Sequence, residues 1–361
     1  MKGILAVMVE PSIIEYQEYD LPTPEKGALL VKVVRTNVCG SELHIWHGDH
    51  PVVKDGVLGH EMVGEIEKIG EGVTTDHSGK PIRVGDRVAA TYFQACGRCS
   101  FCANGDLVLC ENTYEFVGRL PEESPHFHGT YATHYYVHPN QYFYKVPDNV
   151  PDSVAASANC AISQVLYGID KIQLKVNETI LIQGAGGLGL YAAAIANESG
   201  AKVIIIDAVE ERLNQSKKFG ADYVINLNEY DTVEKRNAKI KELTNGKGAD
   251  VALEVTGVPD AFSEGIHHIR QGGRYLSIGN IIPGATTKFD PGLLTRKSIT
   301  IYPVIRYQPS FLNKALEFIS INIDKYPFTE LVDADFKFEE IEDALNKSLK
   351  REVTRASIVI D

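Results

Sequence analysis

Through about residue 160 the apolar residues fall in short runs that alternate with polar positions and are cut by Gly, Pro and Asp, as in GALLVKVVRTNV, MVGEIEKIGEGV and VGDRVAATYF. This spacing predicts short strands joined by tight turns, and hence a β-rich domain. Near residue 178 the pattern changes. ETILIQGAGGLGLYAAAIANESGAKVIIIDAVEERLNQSKKFGADYVIN sets unbroken apolar strands between helix-length segments, and ADVALEVTG and GGRYLSIGN continue the alternation. A strand buried on both faces reads as a continuous apolar run, so a doubly wound parallel sheet of the Rossmann kind is expected there. In the C-terminal segment NKALEFISINI and FEEIEDALNKSLKR have helical spacing and ASIVID reads as a strand. With the alternation ended, that segment is expected to rejoin the first domain. The expected organisation is therefore α/β, with residues 1–161 and 302–361 in the β-rich domain and 162–301 in the parallel-sheet domain. The polar stretch DHSGKPIR, residues 76–83, is expected to be a surface hairpin loop.

A chain of 361 residues is long enough for two cores. The early apolar run of MKGILAVMVEPSIIEYQEYD is cut off by Glu10 and Pro11 with no small-residue cleavage site after it, so it reads as a first strand and the protein as cytoplasmic. No stretch approaches the length that crosses a bilayer. A formal charge of −12 disfavours nucleic acid and anionic membranes as partners, since both call for a basic field.

Composition changes the picture at the cysteines. Four of the six lie in CGRCSFCANGDLVLC, at Cys96, Cys99, Cys102 and Cys110. In a reducing compartment a chain of this size has little use for a disulfide framework, which leaves metal binding or catalysis. Spacings of two, two and seven residues bring four thiolates within reach of one tetrahedral ion, and soft sulfur selects zinc or iron. A bacterial ferredoxin run would place its fourth Cys after three residues and follow it with Pro. Four sulfurs also close the shell, which is the mark of a structural zinc.

The motif Gly184-Ala-Gly186-Gly187-Leu188-Gly189 follows an apolar strand and opens a helix, the context in which GxGxxG indicates a dinucleotide site. Gly184 permits the tight turn, Gly186 lets backbone approach a pyrophosphate, and Gly189 lets helix and strand pack closely. Gly187 and Leu188 supply amides at the helix N-terminus. The next strand ends in Asp207, whose carboxylate would accept the ribose hydroxyls and repel a 2′-phosphate, favouring NAD. Arg212 could soften that preference, although beside Glu210 and Glu211 it reads equally as a helix-surface arginine.

The remaining cysteines are Cys39 in VCGSELHIWHGD and Cys160 in SANCAISQ, and VLGHEMVGEI supplies His60 and Glu61. One His and two Cys leave a fourth metal position open, as catalytic zinc requires. Spacing alone does not decide this, because ligands so far apart make no local motif. With the CxxCxxCx7C lobe between them, these stretches resemble the zinc-dependent medium-chain alcohol dehydrogenases along essentially the whole chain. The resemblance implies a GroES-like catalytic domain beside the Rossmann domain, two zinc ions per chain, NAD, and hydride transfer between a small alcohol and its aldehyde or ketone. It implies Cys39, His60 and Cys160 as catalytic zinc ligands, with Glu61 able to approach the metal. Ser41 then takes the substrate proton, His44 passes it to solvent, and Glu42 holds the His60 imidazole. Polyol dehydrogenases of this superfamily usually carry Glu where Cys160 stands, so an alcohol substrate is favoured over a polyol or sugar. A zinc-free quinone or enoyl reductase leaves Cys39, His60 and Cys160 unexplained, and a non-catalytic NAD-binding protein leaves Ser41 and His44 unexplained. By position, Tyr92 and His50 would line the substrate pocket and Arg306 would reach the cofactor. The resemblance further implies a homo-oligomer, a dimer or tetramer.

Overall fold

The run GALLVKVVRTNV folds as the strand Leu29–Asn37, and its alternation turns Leu29, Val31 and Val33 into the core while Lys32 stays exposed. The structure, a computed structural model, describes residues 1–49, 55–113, 115, 119–281 and 283–360. Leu29–Asn37 pairs antiparallel with Glu61–Ile69, His134–Val137 and Ala356–Val359, which makes it the centre of a seven-stranded sheet. A second, three-stranded sheet joins Lys2–Glu10 to Ile13–Asp20 and Gly56–Val57. Trp46, Met62, Tyr131, Phe336 and Ile358 pack into one buried cluster with the strand residues. The segment 76–83 turns tightly around a buried side chain: Asp76 Oδ1 accepts from the amides of Ser78 and Lys80, and Oδ2 accepts from the amide of Lys145.

One pairing places the chemistry. Asn37 lies opposite Glu61 in the antiparallel ladder, so the chain leaving one strand at Cys39 runs beside the chain entering the next at His60. Two compact units result, Met1–Ser163 with Gln308–Asp361, and Gln164–Tyr307.

The second unit is a parallel sheet of β1 (Thr179–Gln183), β2 (Lys202–Asp207), β3 (Tyr223–Asn226), β4 (Ala249–Glu254), β5 (Ile269–Ser277) and β6 (Thr300–Pro303). Their order across the sheet is β3-β2-β1-β4-β5-β6. All five residues of β1 are buried, as expected for a strand covered on both faces. The order reverses between β1 and β4, and the crevice at their carboxyl ends is where such sheets bind ligands. Among the described residues no helix is long and apolar enough to cross a membrane.

A polar cluster joins two helices of this unit. Arg236, on Val233–Leu243, donates Nε and Nη2 to the two oxygens of Glu264 at 2.5 and 2.7 Å, and His268 Nε2 lies 3.0 Å from Glu264 Oε1. Burial opposes charge on Glu264, yet His268 and Arg236 hold its pKa down to about 2. Burial also lowers the pKa of His268. Both shifts have the same sign for stability. A depressed carboxyl contributes above its unfolded pKa and loses that contribution as pH falls from about 4.5 toward 2, while a depressed imidazole penalises the folded state as pH falls below about 6.5. Urea midpoints are therefore expected to fall steadily from pH 7 to pH 3. Glu264→Gln should cost about 1–3 kcal/mol at pH 7, and that deficit should shrink below pH 5.

Candidate active site

Cys39 caps the short helix Gly40–Trp46. Its amide donates to Glu42 Oε2 at 3.0 Å, and the other carboxylate oxygen of Glu42 lies 2.8 Å from His60 Nδ1. That bond turns the ring so that Nδ1 faces the carboxylate and Nε2 faces the two sulfurs, the orientation in which a neutral His60 would offer Nε2 to a metal. His60 Nε2 is 3.3 Å from Cys160 Sγ, and Cys160 Sγ is 3.9 Å from Cys39 Sγ. Cys160 lies in a π-helical turn, Ala158–Ile162, a local widening of the helix that recurs at functional sites. The side-chain amide of Asn159 in the same turn donates to the carbonyls of His60 and Ala90, tying that turn to the two strands beside it.

Ligand atoms of Cys39, His60, Glu61 and Cys160 all lie within 4.8 Å of one another. Two sulfurs each ~2.3 Å from one tetrahedral ion would stand ~3.8 Å apart, so the sulfur separation fits zinc. Glu61 supports the same reading. It is fully buried, Oε1 accepts from Arg355 Nη2 at 3.1 Å, and Oε2 has no hydrogen-bond partner among the described residues. Beside two thiols and an imidazole, it is an oxygen that a bound cation would satisfy.

The electrostatics agree. The hydrogen bond from Cys160 holds the Cys39 thiol well below its usual range against the effect of burial, and the His60 charge adds to it. Donating that bond, together with burial, raises Cys160. Burial works against a charged His60, but the charges of Glu42 and Cys39 outweigh it and push the pKa up. Burial also lifts Glu61 to about 8 in spite of Arg355. The pocket thus gathers four acidic groups, Cys39, Cys160, Glu42 and Glu61, around His60 and Arg355, and a divalent ion bound there would displace the protons that burial keeps on them.

Of the remaining expected residues, Ser41 donates its hydroxyl to Cys39 Sγ at 3.3 Å, and the Tyr92 ring stands edge-on to His60 with centroids 5.2 Å apart. His44 is exposed, one helical turn beyond Ser41. Arg306 is half-buried in the second unit, after β6. His50 lies outside the described residues. Sequence reasoning missed Arg355, which is 294 positions from Glu61, and Tyr131, whose hydroxyl donates to Glu42 Oε2 at 2.7 Å. No local pattern links either to its partner.

In the other cysteine cluster the four sulfurs also lie within 4.8 Å of one another. Cys99 caps the turn Ser100–Ala103 and accepts from the Cys102 amide, Cys110 accepts from the Cys96 amide, and Asn112 donates to Cys96 at 3.3 Å. The Arg98 amide and the Asn112 side chain lower Cys96 to about 6.

In the second unit, Gly184 has φ +105°, and a Cβ there would meet Thr256 Cγ2 at 2.9 Å. A Cβ on Gly189 would sit 2.0 Å from the Gly184 carbonyl oxygen, so the close packing of helix Gly187–Glu198 on β1 requires glycine. Around Gly186 and Gly187, by contrast, a Cβ would meet nothing within 4 Å, which leaves space in front of the helix N-terminus. Asp207 closes the loop from the side, with Oδ2 accepting from the Ala185 amide at 2.7 Å and Oδ1 from the Val209 amide at 2.9 Å. Leu188 and Arg212 are half-buried, Arg212 within helix Glu210–Lys218.

Comparison with known proteins fits this geometry. The alcohol dehydrogenase GroES-like domain matches residues 25–148, and the zinc-binding dehydrogenase family matches residues 187–320. The 5-exo-hydroxycamphor dehydrogenase of Pseudomonas putida is 34% identical over 94% of each chain. The chain belongs to the zinc-dependent medium-chain alcohol dehydrogenase family. A sorbitol dehydrogenase of Halalkalibacterium halodurans is 32% identical over 89% of this chain and 88% of that protein. An alcohol dehydrogenase of Thermotoga maritima has the same fold, with a TM-score of 0.93 at 29% identity over the whole of both chains. Family membership makes the protein an oxidoreductase with a GroES-like and a Rossmann-type domain.

The two kinds of glycine should separate on substitution. Gly189→Ala should destabilise by about 1–3 kcal/mol or more through overpacking. Gly186→Ala should leave unfolding within about 0.5 kcal/mol of wild type, yet weaken dinucleotide binding about tenfold or more. Thermal melts with and without NAD measure both.

Proposed function

We propose that the protein oxidises a primary or secondary alcohol to the aldehyde or ketone with NAD as hydride acceptor, and runs the reverse reaction. The observation that carries this reading is the convergence of Cys39, His60 and Cys160 on one buried point, with the Ser41 hydroxyl against the Cys39 sulfur. Zinc held by those three residues would supply Lewis acidity toward the substrate oxygen. Ser41, half-buried at the mouth of the helix cap, takes the hydroxyl proton, and the exposed His44 one turn away hands it to solvent. Glu61 takes up a proton or faces the metal site when the substrate oxygen leaves, a role suited to a buried acid whose second oxygen is unpartnered. Tyr92, edge-on to His60, walls the substrate side.

A second zinc, held by Cys96, Cys99, Cys102 and Cys110, fixes the lobe around them and takes no part in the reaction, since four sulfurs leave no open position. The glycine loop 184–189 receives the dinucleotide pyrophosphate, and Asp207 receives the adenosine ribose. An alcohol without a polyol chain is favoured by the thiolate at Cys160, while the sorbitol dehydrogenase relative makes a polyol the reading to test beside it.

Elemental analysis should find two zinc per chain, and a panel of primary, secondary, cyclic and polyhydric alcohols should reveal the substrate class by NADH formation. Cys39→Ser should lose one zinc and about 10³-fold in kcat with the fold intact, since a Lewis acid is worth several kcal/mol. Cys110→Ser should lose the other zinc and lower the unfolding temperature. Equal stability and equal inactivity of both variants would remove this division of labour. NAD should be preferred over NADP by about 10- to 100-fold in kcat/KM, the scale of like-charge repulsion at Asp207.

A further inference from the structure

Glu42 is buried and carries three hydrogen bonds on two oxygens. Oε1 faces His60 Nδ1 at 2.8 Å, and Oε2 accepts from the Cys39 amide at 3.0 Å and from the Tyr131 hydroxyl at 2.7 Å. One carboxylate thus spans two candidate zinc ligands that come from different strands. The last torsion of a glutamate is broad, and the His60 and Cys39 bonds hold one oxygen each. The bond from Tyr131 is a second one on Oε2 and narrows that torsion further.

Tyr131 is itself held rigidly. It is fully buried, its amide donates to the Leu58 carbonyl at 3.1 Å, and its carbonyl accepts from the Ala6 amide at 2.9 Å. Next to it, the Thr130 amide donates to the Gly59 carbonyl at 3.0 Å. Gly59, immediately before His60, has φ +89°, and a Cβ there would stand 2.6 Å from Tyr131 N and 2.7 Å from Tyr131 Cδ1. The residue ahead of one ligand therefore presses on the tyrosine, and the tyrosine's hydroxyl reaches the carboxylate that holds the other.

We propose that Tyr131 is a positioning residue for the catalytic metal, setting the Glu42 carboxylate that orients His60 and the Cys39 backbone together. This rests on the reading of Cys39, His60 and Cys160 as a zinc site. Without that hydroxyl the buried carboxylate of a Tyr131→Phe protein keeps its bonds to His60 and the Cys39 amide and gains torsional freedom. A partner bonded directly to the ligands, as Glu42 is, is typically worth about 10- to 100-fold in metal affinity, and Tyr131, one step further back, a part of that.

The test is zinc release from the full-length protein into excess chelator, followed by the absorbance of a metallochromic indicator. The four-cysteine site serves as an internal control. In wild type two zinc ions should leave in two phases, assigned with Cys39→Ser and Cys110→Ser. In Tyr131→Phe only the phase lost in Cys39→Ser should accelerate, by about 3- to 10-fold, a part of what a direct partner of the ligands is worth. The ligand-field bands of cobalt-substituted protein should shift with it, while the unfolding temperature and the other phase stay put. Unchanged release, or equal acceleration of both phases, overturns the proposal. Wild type holding no zinc at the Cys39 site overturns the underlying functional reading instead, and with it this inference. Should Tyr131→Phe fail to fold, 3-fluorotyrosine at position 131 keeps the ring and alters only the strength of the hydroxyl bond to Glu42. A change in release confined to the phase lost in Cys39→Ser then supports the proposal, and unchanged release overturns it.

Discussion

Anionic groups crowded into a dry interior are the constraint on which the first unit depends. Cys39, Cys160, Glu42 and Glu61 are all buried and lie around one imidazole. Burial disfavours each charge, and neighbouring charges of the same sign disfavour it again. Arg355 against Glu61 and His60 against Glu42 answer part of that imbalance. The same crowding of sulfur, imidazole and carboxylate makes this interior a candidate metal site.

Backbone geometry sustains this arrangement at small cost. A helix N-cap presents Cys39, the residue ahead of an antiparallel strand and its first residue present His60 and Glu61, and a widened turn presents Cys160. Each ligand thus sits at the end or irregularity of an element, where its side chain can leave the regular packing. The elements behind them are regular and apolar, which keeps the ligand positions from relaxing apart. The four-cysteine lobe uses the opposite strategy. Its cysteines come from one short loop closed by amide-to-sulfur hydrogen bonds and packed against Ala95, Leu107 and Tyr142.

The second unit shows a division of the same kind. Gly184 and Gly189 are demanded by the protein's own packing, whereas Gly186 and Gly187 face open space and are demanded by nothing within the fold. Open glycines before a helix N-terminus, with Asp207 closing the loop from the neighbouring strand, make a surface whose unspent hydrogen-bonding capacity points outward.

Local physics explains what the sequence by itself determined. Strand and helix periodicity, the short spacing of Cys96 to Cys110 and the glycine motif all express interactions between residues close along the chain, so their spacing carries the information. The strands Leu29–Asn37 and Lys202–Asp207 follow directly from such patterns. The grouping of Cys39, His60 and Cys160 was legible in outline only, through resemblance, because Cys39 and Cys160 stand 121 positions apart. Tertiary structure alone decided that Arg355 meets Glu61, that Tyr131 and Cys39 share one carboxylate with His60, and that Cys160 lies in a π-helical turn. Contacts between distant segments depend on strand register, and register is a property of the assembled sheet: pairing Asn37 with Glu61 brings the ligands together, and a slip of one residue would turn their side chains to the opposite face.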